Sequence, residues 1–251
     1  MICPFADFRP IPPQLYLEEQ AKKFPKAYRL DKTQLILHSA AGGYQGSIDW
    51  WRNEYNWRIY STFFILRGGE IIQLVDSSFV ANANSEANEP AISVETESPE
   101  QTDAVGWTDN QLDSLTRLAK WTEQAHDIPM RPCPAHDQPG YAVHTSWGNT
   151  PASPWLGMKA KTCPGLFRIR QYFKELLPAV GYAPKPGAEA ELFDRWNRMP
   201  KMPAPKAWGS ARKRTHVKAK NNGKRASLDA TDFLVPDRDE AVFMRRRNER
   251  V

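Results

Sequence analysis

Regularly spaced apolar residues are confined to the middle of this 251-residue chain, and their placement limits the possible folds more than any other feature. The apolar run at 34–38 (QLILH) is typical of a short buried strand. The run at 48–55 (IDWWRNEY) has helical spacing, and Ser47 in front of it is a residue type that caps helices. The patterned region, from about 30 to 180, therefore begins with a strand followed by a helix.

The next segments predict a β-hairpin and a further strand. Residues 60–66 and 70–75 are rich in β-branched and aromatic side chains. Gly68 and Gly69 stand between them and permit the positive φ angles of a tight hairpin turn. Residues 91–97 (AISVETE) alternate in side-chain character, as a strand with two different faces does. These segments add three strands to the first.

Two more helices complete the pattern. Thr108 and Gln111 have the spacing of a capping box, and the leucines after them predict an amphipathic helix that ends near His126. Pro164 fits the first turn of a closing helix. The apolar residues of that helix are Leu166, Ile169, Phe173 and Leu176. The order strand, helix, strands, helix, helix predicts an α/β fold with a mixed central β-sheet flanked by helices.

The net charge is distributed unevenly along the chain. Residues 201–251 hold 14 Lys and Arg against 6 Asp and Glu, a net charge of +8, whereas the first 200 residues hold 20 against 23. Because the last segment has few apolar residues at strand or helix spacing, it cannot bury enough surface to offset the entropy of ordering it. We therefore expect an N-terminal extension (1–29), one folded domain (30–180) and a basic tail (181–251) that is largely disordered or loosely docked.

Cysteine content and hydropathy exclude several classes of protein. Cys3, Cys133 and Cys163 are too few and odd in number for a disulfide scaffold, so at least one thiol is free or holds a metal. No apolar run reaches the roughly 18 residues of a membrane-spanning helix. The first residues (MICPFADFRPIPPQ) lack the charged and apolar regions of a secretory signal peptide. We expect a monomer that folds in a cytoplasm.

Histidine and cysteine residues at the ends of predicted elements suggest a metal site. His38 ends the first strand, Cys163 precedes the closing helix, and a further histidine lies between them. Imidazole and thiolate ligands suit tetrahedral zinc, and three protein ligands leave one position open, as in catalytic sites. Each residue alone has a common structural use: a histidine at a strand end is usually a hydrogen-bonded polar residue, and a lone cysteine usually packs as a small apolar one.

Five short segments occur in the order found in zinc-dependent N-acetylmuramoyl-L-alanine amidases and the related peptidoglycan recognition proteins. They are ILHSAAG (36–42), STFFILRGGEIIQLVDSS (61–78), NEPAISVETES (88–98), GYAVHTSWG (140–148) and KTCPG (161–165). The sequence most resembles the amidase domains of endolysins from phages of actinobacteria. The resemblance covers about residues 30–180. It implies an amidase-like fold, a zinc cofactor and hydrolysis of the amide between N-acetylmuramic acid and L-alanine in bacterial peptidoglycan.

The resemblance also implies a set of zinc ligands. His38 corresponds to the first ligand of the family and Cys163 to the third. His144 is our choice for the second, because its Tyr-x-x-His spacing resembles the phage proteins. His136, which Asp137 follows, resembles the more usual His-x-Asp pattern and stays a competing candidate.

Glu95 and Lys161 are the catalytic residues that the resemblance implies. Glu95 and Glu97 share one face of their predicted strand, and Glu95 corresponds to the general base that takes a proton from the attacking water. Lys161 corresponds to a lysine that stabilises the developing oxyanion. Asn82 and Asn84 lie in a segment (81–84) where relatives carry Trp-His-Ala-Gly, and they could donate hydrogen bonds to glycan or peptide, although asparagines in loops more often serve turns.

The biological role that the resemblance implies is host lysis by a phage endolysin. Such a protein is made in the host bacterial cytoplasm without a signal peptide and acts on the cell wall after its release. The basic tail would contact anionic wall polymers. Two other functions fit parts of the sequence. One is a non-catalytic peptidoglycan-binding module, which would not need the Cys163 thiolate. The other is nucleic-acid binding, an interpretation that is based on the charge of the tail alone.

Overall fold

A computed structural model describes residues 1–84, 87–98, 105–134, 138–147 and 163–186. Its centre is a mixed sheet of six strands. The strands are β1 (Asp7–Phe8), β2 (Gln34–Leu37), β3 (Phe63–Ile65), β4 (Ile71–Gln73), β5 (Ala91–Thr96) and β6 (Gly140–Val143). Their order across the sheet is β1-β4-β3-β5-β2-β6. Neighbouring strands run parallel except β3 and β4, which form the predicted hairpin.

Helices cover both faces of the sheet. They are α1 (Pro12–Lys23), α2 (Pro25–Tyr28), α3 (Tyr44–Tyr55), α4 (Asp109–His126), α5 (Leu166–Gln171) and α6 (Leu177–Ala179), and wide helical turns over Tyr172–Leu176 join the last two. On one face, Leu115 of α4 packs in the same core as Val94 of β5. On the other face, Trp51 of α3 packs in the same cluster as Phe64 of β3. This arrangement confirms the predicted α/β fold class.

The predicted helix cap at Thr108 and the predicted hairpin turn at Gly69 both form. The Thr108 hydroxyl accepts a hydrogen bond from the Gln111 backbone N–H at 3.1 Å, and the Gln111 side chain accepts one from the Thr108 N–H at 3.2 Å. In the hairpin turn, Gly69 has a φ of 95°, and a Cβ atom there would lie 2.9 Å from the carbonyl oxygen of Asn110. Only glycine combines that backbone angle with so close an approach.

Two predicted helix starts are wrong. Helix α3 begins at Tyr44, so Ser47 lies inside it, and the Ser47 hydroxyl donates to the carbonyl of Gly43 at 3.1 Å. A serine that bonds back to the preceding turn in this way does not mark a helix boundary. Helix α5 begins at Leu166, so Pro164 precedes the helix and does not form its first turn.

The segment before residue 30 packs against the rest of the fold. Strand β1 extends the sheet parallel to β4, and Cys3 lies in the main core. Leu17 of α1 packs with Phe79 in a smaller apolar cluster. The predicted extension therefore supplies an edge strand and two helices.

The described part of the chain ends at residue 186, so most of the predicted basic tail lies outside it. Val180 and Tyr182 still pack against the main core, which places the end of α6 within the fold. Within the described ranges, no helix has both the length and the apolar character needed to cross a membrane.

Candidate metal centre and active site

The register of three parallel strands brings His38, His144 and Glu95 into one row. The last residue of β2 pairs with the last residue of β6 and with Val94 of β5. His38, His144 and Glu95 are the next residues along these three chain segments. The row continues past β2, since the His38 N–H donates to the Val94 carbonyl at 2.8 Å. Residues at the same register of a sheet project from the same face, so the register places these three residues side by side at the carboxyl ends of the strands.

The side chains of His38, His144 and Cys163 form a compact group of potential metal ligands. One ligand atom of each lies within 4.8 Å of the others, and this is the only such group among the described residues. The centroids of the two imidazole rings are 4.3 Å apart. His38 is 2% exposed and His144 7%, whereas Cys163 is partly exposed. Two of the three donors are thus screened from solvent.

The residues that directly follow the two histidines hold Cys163 in place. The Ser39 N–H donates to Cys163 Sγ at 3.1 Å. Thr145 donates to the Cys163 carbonyl from its N–H at 2.9 Å and from its hydroxyl at 2.8 Å. These contacts fix both the sulfur and the backbone of Cys163 beside the two imidazoles.

These three residues fit a zinc ion. Ligands at about 2.0–2.3 Å from a tetrahedral zinc lie roughly 3.3–3.8 Å from one another, so separations of up to 4.8 Å require only small side-chain movements. Two imidazoles and a thiolate are donors that zinc prefers, and three ligands leave a fourth position for water or substrate. His136, the competing candidate for the second ligand, lies outside the described residues.

A buried amide contacts the first histidine. Asn84 is fully buried, and its Oδ1 lies 2.6 Å from His38 Nε2. The Asn84 Nδ2 donates to Ser93 Oγ at 2.5 Å. Asn84 thus engages one of the two His38 ring nitrogens that could bind a metal.

The environment of Glu95 favours its neutral form. Its Oε2 is buried and has no hydrogen-bond partner among the described residues, although the residue as a whole is partly exposed. Burial raises the pKa of Glu95 from 4.5 to about 8, and the positive charge of Arg168, which is itself fully buried, opposes this rise. A carboxyl group with a pKa near neutrality can take up and release a proton at physiological pH, as a general base must.

Comparison with known proteins identifies the family. A family model described as N-acetylmuramoyl-L-alanine amidase matches residues 29–166, more than half of the chain. The chain belongs to the N-acetylmuramoyl-L-alanine amidase family. The matched range includes His38, Glu95, His144 and Cys163. A search among curated proteins finds no match.

Solved structures that resemble this amidase-family chain come from bacteria, a phage and an insect. The amidase LysC from Clostridium intestinale URNW is 17% identical, with 60% of this chain and 88% of that chain covered and a TM-score of 0.46. The Ph2119 endolysin from the Thermus scotoductus MAT2119 bacteriophage Ph2119 is 14% identical, with 64% of this chain and 96% of that chain covered and a TM-score of 0.44. Drosophila peptidoglycan recognition protein SA is 11% identical, with coverages of 59% and 81% and a TM-score of 0.45.

The remaining predicted residues of this amidase have different outcomes. Lys161 lies outside the described residues. The Oε2 of Glu97 accepts a hydrogen bond from the Arg67 N–H at 2.9 Å, so this carboxylate ties its strand to the hairpin turn. The backbone carbonyl of Asn84 accepts a hydrogen bond from the Ala87 N–H, and its side chain contacts the first histidine.

Sequence reasoning missed three residues around the metal group. Ser39 acts through its backbone N–H, which every residue type except proline possesses, so its identity carries no signal. Thr145 donates a hydrogen bond to the carbonyl of Cys163, 18 positions later in the chain, and no local pattern indicates that contact. Arg168 could have been noticed, because it is a charged residue among the apolar positions of the closing helix.

Proposed function

We propose that this protein is a zinc-dependent amidase that cleaves the bond between the lactyl group of N-acetylmuramic acid and L-alanine in bacterial peptidoglycan. The observation that carries the proposal is the approach of His38, His144 and Cys163 to within 4.8 Å of one another, with Glu95 in the same row of the sheet. A protein that only binds peptidoglycan has no chemical need for a thiolate beside two imidazoles. Family membership and site chemistry therefore support the same reaction.

Each residue of the site has a task in this reaction. Zinc held by His38, His144 and Cys163 would supply a Lewis acid that polarises the scissile carbonyl and acidifies water. Glu95 Oε2 would accept the proton of the attacking water and return it to the leaving amine. Its raised pKa suits this return, because a carboxyl group that holds a proton near neutral pH can also donate it. Lys161 would stabilise negative charge on the carbonyl oxygen.

Product release from purified cell walls tests the proposal. The zinc-loaded protein should expose new L-alanine amino termini and leave the muramoyl lactyl groups free. Cys163→Ser should lose zinc and activity together, because a neutral hydroxyl is a poor substitute for a thiolate ligand. Cys133→Ser is the matched control: its thiol lies in an apolar environment, where burial raises its pKa to about 12, so both properties should persist.

Two results would contradict the proposal. Full zinc occupancy in Cys163→Ser would exclude Cys163 as a ligand. Retention of the protein on cell walls without release of L-alanine amino termini would indicate a peptidoglycan-recognition module and not an enzyme.

We further propose that the enzyme acts in phage lysis of a host bacterium. It would remain in the host cytoplasm until the membrane is opened and would then reach the wall. The net charge of +8 on residues 201–251 would hold it on anionic wall polymers and raise its local concentration without changing the chemistry.

Shortening the chain after residue 186 tests the role of the tail. The shortened protein should cleave small soluble muramoyl peptides as fast as the full chain but intact walls more slowly. The difference should vanish as salt rises above about 0.15 M, where charges are screened beyond about 8 Å. Equal loss of activity on both substrates would show that the removed residues support the fold.

A further inference from the structure

The buried side chain of Asn84 links the metal group to the sheet below it. Its Oδ1 contacts His38 Nε2 at 2.6 Å, and its Nδ2 donates to Ser93 Oγ at 2.5 Å. Ser93 lies on β5 opposite Ile36 of β2, two residues before the row that contains the histidines. Asn84 and Ser93 are both 0% exposed, so water does not compete for these hydrogen bonds.

The backbone around Asn84 is fixed on both sides. The Asn84 N–H donates to Asn88 Oδ1 at 2.7 Å, and its carbonyl accepts from the Ala87 N–H at 3.1 Å. At the far end, the Ser93 N–H donates to Thr62 Oγ1 at 3.3 Å. These bonds fix the point from which the Asn84 side chain projects, and turning its amide away from the histidine would also break the buried bond to Ser93 Oγ, which is costly to leave unmade.

We propose that Asn84 is a positioning residue for the metal centre: by accepting a hydrogen bond from Nε2–H, it holds the His38 imidazole as the tautomer whose Nδ1 can bind metal. This inference rests on the zinc site of the proposed function. A neutral imidazole carries its proton on one nitrogen only, so an acceptor at Nε2 leaves the Nδ1 lone pair for a metal. With Nδ2 donating to Ser93 Oγ at one end of the amide, Oδ1 at the other end faces the histidine.

The reverse orientation of the amide would have the opposite effect. Asn84 Nδ2 would then donate to Nε2, the proton of His38 would move to Nδ1, and that nitrogen could not bind a metal. Because the two arrangements differ in the position of one proton, nuclear magnetic resonance of ¹⁵N-labelled histidine distinguishes them in the metal-free protein.

Zinc affinity and the His38 tautomer, measured on the same full-length variants, test the inference. Asn84→Leu keeps similar volume but removes the acceptor, and zinc binding measured by chelator competition should weaken by about 10–100-fold. Asn84→Asp keeps an acceptor and should bind zinc within a few-fold of the wild type. Asn82→Leu, at a partly exposed position two residues earlier, is the matched control and should leave the affinity unchanged.

Ser93→Ala keeps the test valid if Asn84→Leu fails to fold. It should weaken zinc binding by about tenfold or less and produce a mixture of His38 tautomers, because the amide loses its second anchor. Wild-type affinity in both Asn84→Leu and Ser93→Ala, or a proton on His38 Nδ1 in the metal-free wild type, would overturn the inference. Zinc binding without peptidoglycan cleavage would overturn the proposed function alone, whereas no zinc binding by the wild type would overturn both.

Discussion

Replacing Glu95 by glutamine should stabilise the metal-free fold while it removes the general base. The carboxyl Oε2 is buried without a hydrogen-bond partner among the described residues, so the folded protein favours its neutral form. Glutamine has nearly the same shape and does not ionise. The variant should therefore be more stable than the wild type at any pH at which the wild-type carboxyl is neutral in the folded protein and ionised in the unfolded chain.

The size of this effect follows from the rise in the pKa of Glu95 from 4.5 to about 8. Because the folded pKa is the higher one, the contribution of the neutral carboxyl to stability is complete below pH 4.5 and is lost as the pH rises through 8. At about 1.36 kcal/mol per pH unit, the loss by pH 7 is on the order of 3 kcal/mol. The free energy of unfolding of Glu95→Gln should not fall in this way, because glutamine does not ionise.

Urea unfolding of the chelator-treated proteins at pH 4.5 and pH 7.5 measures the difference. The free energies of unfolding should nearly coincide at pH 4.5, and the variant should be more stable by about 2–4 kcal/mol at pH 7.5. With zinc bound, its rate of amide hydrolysis should fall by roughly 10²–10⁴-fold. The same pH dependence in both proteins would refute the reasoning, because Glu95 would then ionise as readily in the fold as in the unfolded chain.

Four further substitutions test other residues. His144→Ala should abolish zinc binding and His136→Ala should leave it nearly intact; the reverse result in chelator competition would transfer the ligand role to His136. Thr108→Ala should lower the free energy of unfolding by about 1 kcal/mol through loss of its cap, and an unchanged urea midpoint would count against this. Arg168→Gln should move the acidic limb of the pH–rate profile upward, because the guanidinium lowers the pKa of Glu95; an unmoved limb would contradict this electrostatic role.

The elements that the sequence predicts correctly carry local signals. The capping box of Thr108 and the glycines of the hairpin turn act through residues close in the chain, so their patterns are readable without the fold. Ser47 shows the limit of such signals. A serine can cap a helix or bond back to the preceding turn, and the residues around it do not distinguish these cases.

The arrangement of the site depends on strand register, which no local pattern specifies. His38 and His144 are adjacent because β2 and β6 pair in parallel at their last residues, although more than 100 positions separate them in the chain. Family resemblance suggested these residues, but it did not indicate which other residues would form hydrogen bonds to them. The role of Asn84 arises from the loop that brings a buried amide against His38, and asparagine in a loop usually indicates only a turn.

Titration of the metal-free protein with zinc, with amide cleavage measured at each step, tests the central claim most directly. Activity on cell walls should be absent in the presence of chelator and should rise in proportion to added zinc until one equivalent per chain is bound. The proposed centre of His38, His144 and Cys163 would hold one zinc ion, so further zinc should have no effect. Full activity of a protein shown to contain no metal would contradict the assignment of these residues as the zinc centre of an amidase.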